Sequence, residues 1–369
     1  MPTMKAAVVR AKHGPFSLED VELEEPRDNE VLVRITGVGL CHTDLAVRDQ
    51  HMPVPLPAVL GHEGAGIVER VGRHVTGFVP GDPVVMSYAS CGTCPNCQRG
   101  LNAYCPEIFP RNLSGGRLDG SSPHRDARGE RIHGCFCAQS SFAEYALAPE
   151  DSLVKLPRDV PVHLMGPLGC SMQTGAGAIL NALRPEPGSS LVIFGLGSVG
   201  LSALMAARVA GCAPLIAVDL LESRLALARE LGATHCLSAR EGDVVERVRA
   251  LTGGEGTQYS LDCTGAPGVV RQAVESLRLT GVCGIIGLMP MGTEFTLDMN
   301  TVLHGRTLRG IVEGDSVPRR FIPRLVELWR EGRFPLERLI QTWPLSRIDE
   351  AARASARGEV LKAVLMPGA

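Results

Sequence analysis

SLVIFGLGSVGLSALMAARVAGCAPLIAVD, residues 190–219, decides the fold. Leu191-Val192-Ile193-Phe194 is a short apolar run of the kind a buried parallel strand needs. Gly195, Gly197 and Gly200 follow in GxGxxG spacing, and an apolar, helix-forming segment continues through Arg208. A second apolar run, Leu215 to Val218, ends on Asp219, 24 residues after Gly195. Strand, glycine turn, helix, strand and terminal acid make the fingerprint of a dinucleotide-binding α/β sheet. Gly195 permits the tight turn, Gly197 lets a pyrophosphate approach the backbone, and Gly200 lets helix and strand pack closely. Val199 lies between them, and the helix start offers unpaired N–H groups to the anion. Asp219 accepts from the adenosine ribose hydroxyls and repels a 2′-phosphate, which favours NAD over NADP, although Arg224 could reach a phosphate.

Outward from this stretch the character changes on both sides. Downstream, helical patterns (222–231, 243–251, 269–277) alternate with strand patterns (235–237, 259–263, 282–286, 308–311), a doubly wound α/β order. Upstream, the first hundred residues are Val-rich runs broken by glycine and proline, such as Gly64-Ala65-Gly66-Ile67-Val68, a β-rich, barrel-like pattern. Residues 106–140 are polar and irregular and read as a long surface loop. Residues 169–183 have helix-compatible spacing, and an amphipathic stretch, Arg320 to Glu331, precedes a last apolar run, Val360 to Leu365.

With 369 residues the chain can hold two or three domains. Hydrophobic residues make up 44% and charged residues 21%, and the net charge of -3 gives no basic surface for nucleic acid. No apolar stretch reads as a membrane span, and MPTMKAAVVRAKHG lacks the apolar core of a secretory signal. Twelve cysteines in a chain this long, four of them tightly spaced, favour metal ligation in a reducing cytoplasm over disulfides.

Those four are Cys91, Cys94, Cys97 and Cys105. Four thiolates so near in sequence can close a tetrahedral shell around Zn²⁺ at little loop-closure cost, leaving no open position, so the site is structural. Thiolate tetrads also hold iron–sulfur clusters. A scattered second set, Cys41, His62 and Cys170, could supply three ligands and leave the fourth place to water or substrate, as a catalytic zinc needs. Spacing alone does not separate that trio from buried cysteines and a hydrogen-bonded histidine. The fingerprint tips the balance, because a metal beside a nicotinamide polarises the oxygen of an alcohol or carbonyl while the cofactor takes or gives hydride.

CHTD (41–44), GHEGAGIVERVG (61–72), CGTCPNC (91–97) and GLGSVG (195–200) together resemble the zinc-dependent medium-chain alcohol dehydrogenase family, over nearly the whole chain. SMQTGAGAILN (171–181), YSLDCTG (259–265), LDMN (297–300) and GIVEGDSVPRRFIP (310–323) look most like its aryl (benzyl) alcohol dehydrogenase branch. The resemblance implies a GroES-like β-rich catalytic domain at residues 1–168, a Rossmann NAD-binding domain at 169–305 and a return to the catalytic domain at 306–369. It implies two zinc ions per chain: Cys41, His62 and Cys170 on the catalytic one, the four clustered cysteines on the structural one. Thr43 is then expected to take the alcohol's proton, Asp44 to orient His62, and Glu63 to stand behind the metal. His42 and Lys362 are expected at the cofactor pyrophosphate, with Thr174 and Val199 beside the nicotinamide. Many family members carry a relay histidine five residues after the first cysteine ligand, where this chain has Ala46.

The function implied is NAD-dependent oxidation of aryl primary alcohols to aldehydes in a cytoplasmic homo-oligomer, dimer or tetramer, with no nucleic-acid or membrane partner. Alternatives are aliphatic, allylic or terpenoid, and glutathione-adduct alcohols. More distant ones are an NADPH-dependent quinone or enone reductase, which would not need the Cys41–His62–Cys170 trio, and a non-catalytic NAD-binding protein.

Overall fold

The run Leu191–Phe194 forms a fully buried strand, as unbroken hydrophobicity requires where helices cover both faces of a sheet. A computed structural model, which describes residues 3–368, sets it third among six parallel strands. In spatial order they are His235–Ser238, Leu215–Asp219, Leu191–Phe194, Thr257–Asp262, Leu277–Ile285 and Thr307–Gly310. Strand order reverses between Leu191–Phe194 and Thr257–Asp262, so the fingerprint ends at the topological switch point where open α/β sheets bind their ligands. Val192, Phe194, Ile216, Val218, Leu237, Val274 and Cys283 make the core on one face, each large apolar side chain there contributing about 1.5–3 kcal/mol by burial.

This sheet belongs to a unit formed by Met172–Ser316 and Leu328–Phe334. A boundary at residue 305 falls short, because Thr307–Gly310 pairs in parallel with Leu277–Ile285 and so completes the sheet. Residues 169–183 do not form one regular helix. Ser171–Gly177 is α-helical, Ala178–Leu183 widens into a π-helical turn, and Arg184 stops it in the left-handed region.

The other unit comprises the chain up to Ser171, Val317–Glu327 and the stretch from Pro335 onward. Its spine is the strand Glu30–Gly39, paired with Gly64–Val71, Tyr145–Pro149 and Lys362–Met366 in a seven-stranded sheet. The strand Lys362–Met366 lies between that spine and Ile340–Pro344, so the last apolar run does return to the N-terminal half.

A five-stranded sheet includes Thr3–Val9 and Phe16–Leu23, and it corrects the surface-loop reading of residues 106–140. His124–Asp126 and Arg131–Ile132 extend this sheet, and Asn112, Ser122, His124 and Asp126 are buried. Polar composition misled because the polar groups bond inward. Asn112 Nδ2 donates to Ala89 O at 2.9 Å, and Arg117 reaches Glu24 and Glu30 at 2.8 and 2.6 Å.

Candidate functional site

Asp44 organises the first cluster. It is fully buried in the first turn of the helix His42–Arg48 and accepts the backbone N–H of Cys41 at 2.9 Å, closing a capping box. Its other oxygen meets Gly61 N at 3.1 Å and His62 Nδ1 at 2.9 Å. A carboxylate on Nδ1 fixes the tautomer and leaves Nε2 as a lone pair. That Nε2 is buried without a hydrogen-bond partner. The ligand atoms of Cys41, His62, Glu63 and Cys170 lie within 4.8 Å of one another. Two thiols, an orphaned imidazole nitrogen and a carboxylate in that span fit Zn²⁺ with a position to spare.

The electrostatics suit a thiolate-bound cation. A hydrogen bond from Cys170 pulls the Cys41 thiol well below its ordinary value against burial, helped by the charges of Lys362 and His62. Burial opposes a charged His62, but Asp44 and Cys41 outweigh it and raise the imidazole well above its usual range. Thr43 Oγ1 lies 3.8 Å from Cys41 Sγ. Cys170 follows the turn Gly166–Gly169, where Gly169 O accepts the buried Ser87 hydroxyl at 2.7 Å.

Glu63 is fully buried behind this cluster. Lys362 Nζ donates to its two oxygens at 3.0 and 2.9 Å and to Leu40 O at 3.1 Å, and Ser171 N reaches Oε1 at 3.1 Å. Burial pushes the Glu63 carboxyl up while Lys362 pulls against it; Lys362 is itself raised, its carboxylate partner overcoming its burial. Lys362, expected at the cofactor pyrophosphate, is only 2% exposed here and has its ammonium on Glu63. Gln139 is a residue that sequence reasoning passed over. Also buried, it donates to His62 O at 2.9 Å and accepts from Gly64 N at 3.0 Å, bracing the loop that carries His62 and Glu63. A lone glutamine in a Ser-rich stretch carries no motif that could have flagged it.

Cys91, Cys94, Cys97 and Cys105 form the second cluster, their sulfurs also within 4.8 Å. Backbone N–H groups point at them: Cys94 N to Cys91 Sγ at 3.3 Å, Cys97 N to Cys94 Sγ at 3.5 Å, and Cys91 N to Cys105 Sγ at 3.4 Å. Such donors spread the negative charge of a four-thiolate shell. N–H bonds from Cys94 and Thr93 bring the Cys91 thiol down to about 6, whereas burial and Cys94 push Cys97 up to about 12. The tetrad is closed by protein on all four corners, the pattern of a structural zinc.

In the other unit, Gly195 turns at φ +85°, and a Cβ on Gly200 would collide with the Gly195 carbonyl oxygen. Gly197 caps the helix Ser198–Ala210, whose first turn holds Val199. Asp219 ends its strand 8% exposed and accepts Leu196 N at 2.7 Å and Leu221 N at 2.9 Å. It therefore pins the fingerprint turn as well, with carboxylate lone pairs left over. Arg224 Nη1 lies 3.9 Å from it, and Arg224 Nε is buried without a partner. Thr174 is buried, and its hydroxyl meets Glu313 Oε2 at 3.3 Å. His42 is exposed at the start of its helix, and Ala46, one turn on, is buried.

Residues 27–158 match the alcohol dehydrogenase GroES-like domain, and residues 198–330 match the zinc-binding dehydrogenase family. A geraniol dehydrogenase from Castellaniella defragrans is 46% identical over 365 residues, spanning 98% of this chain and 97% of that one. The chain belongs to the zinc-dependent medium-chain alcohol dehydrogenase family. Among solved structures of the family, an alcohol dehydrogenase zinc-binding domain protein from Burkholderia ambifaria is 52% identical, with TM-score 0.97 over 99% of each chain. The benzyl alcohol dehydrogenase of Acinetobacter calcoaceticus is 44% identical, with TM-score 0.96 over 100% of each. As a family member the protein is a zinc-binding, NAD-dependent alcohol dehydrogenase with a GroES-like β domain and a Rossmann-like parallel sheet.

Proposed function

We propose that this dehydrogenase oxidises aryl, benzyl-type primary alcohols to aldehydes, reversibly, by hydride transfer to NAD. The observation that carries the choice is the full-length likeness to a benzyl alcohol dehydrogenase, together with the stretches 171–181, 259–265, 297–300 and 310–323. Ser87 supports it: many family members place an aromatic ring there, and this small side chain is turned to Gly169 O. The likeness to a geraniol dehydrogenase favours a second reading, allylic primary alcohols. Both alcohol types put an unsaturated carbon next to the carbinol, so one pocket chemistry serves either.

When bound, Zn²⁺ supplies the Lewis acidity that polarises the reacting oxygen. Cys41, His62 and Cys170 would hold it, and the Thr43 hydroxyl beside Cys41 would relay the alcohol's proton, accepting it while passing its own on toward solvent. Asp44 keeps His62 in its metal-binding tautomer. Glu63, with Lys362 as its counter-ion, stands behind the ligands. Gly195, Gly197, Gly200 and His42 receive the pyrophosphate, Asp219 the adenosine ribose with Arg224 at its flank, and Val199 and Thr174 border the nicotinamide. No disulfide joins the cysteines among the described residues, the state a reducing cytoplasm maintains and thiolate ligation needs. For the homo-oligomer we place self-association at the sheet edge Thr307–Gly310, where the preceding helix leaves Met299 and Leu303 exposed.

Initial rates with NAD on benzyl alcohol, geraniol, ethanol and S-(hydroxymethyl)glutathione test the substrate class. Benzyl alcohol should give the highest kcat/KM. Geraniol ahead by about tenfold would install the allylic reading, and ethanol or the glutathione adduct ahead by as much would end both.

A further inference from the structure

The direction in which a dinucleotide crosses the parallel sheet follows from the second unit alone. Asp219, the ribose acceptor, ends the strand on one side of the switch point, and the glycine turn that receives the pyrophosphate ends the strand at it. An extended dinucleotide anchored at both must carry its nicotinamide to the other side, over the carboxyl ends of Thr257–Asp262, Leu277–Ile285 and Thr307–Gly310.

On that side the chain leaving Thr307–Gly310 makes an unusual turn. Glu313, Gly314 and Asp315 are consecutive left-handed residues, with φ of 48°, 63° and 49°. Non-glycine residues hold that conformation at a cost of about 1–3 kcal/mol each and tend to occur where function demands it. The turn is pinned on all sides. Asn181 Nδ2 donates to Gly314 O at 3.1 Å, Ser316 Oγ to Glu313 O at 2.5 Å, and Arg309 pairs with Asp315. The Glu313 carboxylate so presented accepts Gln173 Nε2 at 3.2 Å and Thr174 Oγ1 at 3.3 Å. Thr174 is in turn seated on the fingerprint helix: a Cβ on the adjacent Gly175 would collide with the Val199 carbonyl oxygen. A half-buried carboxylate is thus tied to the segment that borders the fingerprint, on the side to which the nicotinamide must go.

We infer that Glu313 is a cofactor-facing charge that favours the oxidised nicotinamide. The ring of NAD⁺ is cationic and that of NADH neutral, so a fixed carboxylate nearby attracts one and not the other. Glu313 takes no part in bond making; it sets the balance between the two cofactor forms on the enzyme. The inference rests on the NAD-dependent reading of this chain.

The test is titration of the zinc-loaded protein and its Glu313→Gln variant with NAD⁺, NADH and ADP-ribose by calorimetry. Glutamine keeps an acceptor for Gln173 and Thr174 and removes the charge. NAD⁺ should bind at least about tenfold more weakly to the variant, the effect of one charge about 12 Å away at an effective dielectric of about 20, and more if it is nearer. NADH and ADP-ribose should be unchanged. Equal weakening of all three would make Glu313 a structural pin only and overturn the inference, as would no change at all. Thr174→Val supplies a second check, since it drops one hydrogen bond and keeps the charge. If it lowers the NAD⁺-to-NADH preference as Glu313→Gln does, the charge argument fails. Absence of binding of all three by the unaltered protein would instead overturn the NAD-dependent reading.

Discussion

His124 should make the fold acid-sensitive by an amount that can be worked out. It sits on the strand His124–Asp126, 1% exposed, with both ring nitrogens buried and unpartnered. Burial, and next the positive charge of Arg117, lowers its pKa to about 3. The ring is therefore neutral in the folded protein at any working pH, whereas in the unfolded chain it takes a proton near its ordinary value of about 6.5. A base whose folded pKa is depressed costs no stability above that value. Below it, the unfolded state binds a proton that the folded state refuses, and stability falls until the folded ring protonates near about pH 3. One unit below the unfolded pKa, at about pH 5.5, the loss is about 1.4 kcal/mol. His124→Gln keeps the reach and polarity of the side chain and abolishes the titration. Urea unfolding of both proteins at about pH 7.5 and about pH 5.5 gives a double difference in which protonation elsewhere cancels; it should be about 1.4 kcal/mol. Identical pH slopes for the two proteins would refute the reasoning. If the variant does not fold, deuterium exchange at the His124 Cε1 of the native protein gives the same answer, and an inflection near about pH 6 would be fatal.

The other predictions concern the metals and the cofactor. Asp44→Asn should weaken binding of the catalytic zinc by about 10- to 100-fold by releasing the His62 tautomer; elemental analysis after mild chelation should find one zinc per chain rather than two. Cys94→Ser opens the closed thiolate shell and should lower Tm by roughly 10 °C, at about 2–4 °C per kcal/mol for a domain of this size. Unchanged thermal unfolding with that zinc lost would contradict a folding role. Asp219→Gly should shift the NAD to NADP ratio of kcat/KM toward NADP by about tenfold or more, and an unmoved ratio would remove its ribose role.

What the sequence discloses and what it hides divide by distance along the chain. The glycine fingerprint and the tetrad from Cys91 to Cys105 are local, so spacing alone names them. Cys41, His62 and Cys170 are far apart, and only their motifs could join them before the fold does. Nothing local could reveal the partner of Lys362, since Glu63 lies 299 positions away. Residues 106–140 are polar yet partly buried, because polarity signals solvent only when polar groups have no partners within the fold, and here Asn112, Arg117 and Ser122 do. Glu313 stood in a legible stretch, yet its left-handed backbone and its bond to Thr174 belong to tertiary structure.

The strand Lys362–Met366 has a consequence for how the protein is made. Synthesis of residues 172–316 yields a continuous stretch able to assemble its parallel sheet before Lys362 has been translated. Throughout that interval the spine Glu30–Gly39 lacks one neighbour, and the acid at position 63 lacks its cation. A nascent chain thus holds all three candidate metal ligands, Cys41, His62 and Cys170, before Lys362 arrives to neutralise the buried carboxylate behind them.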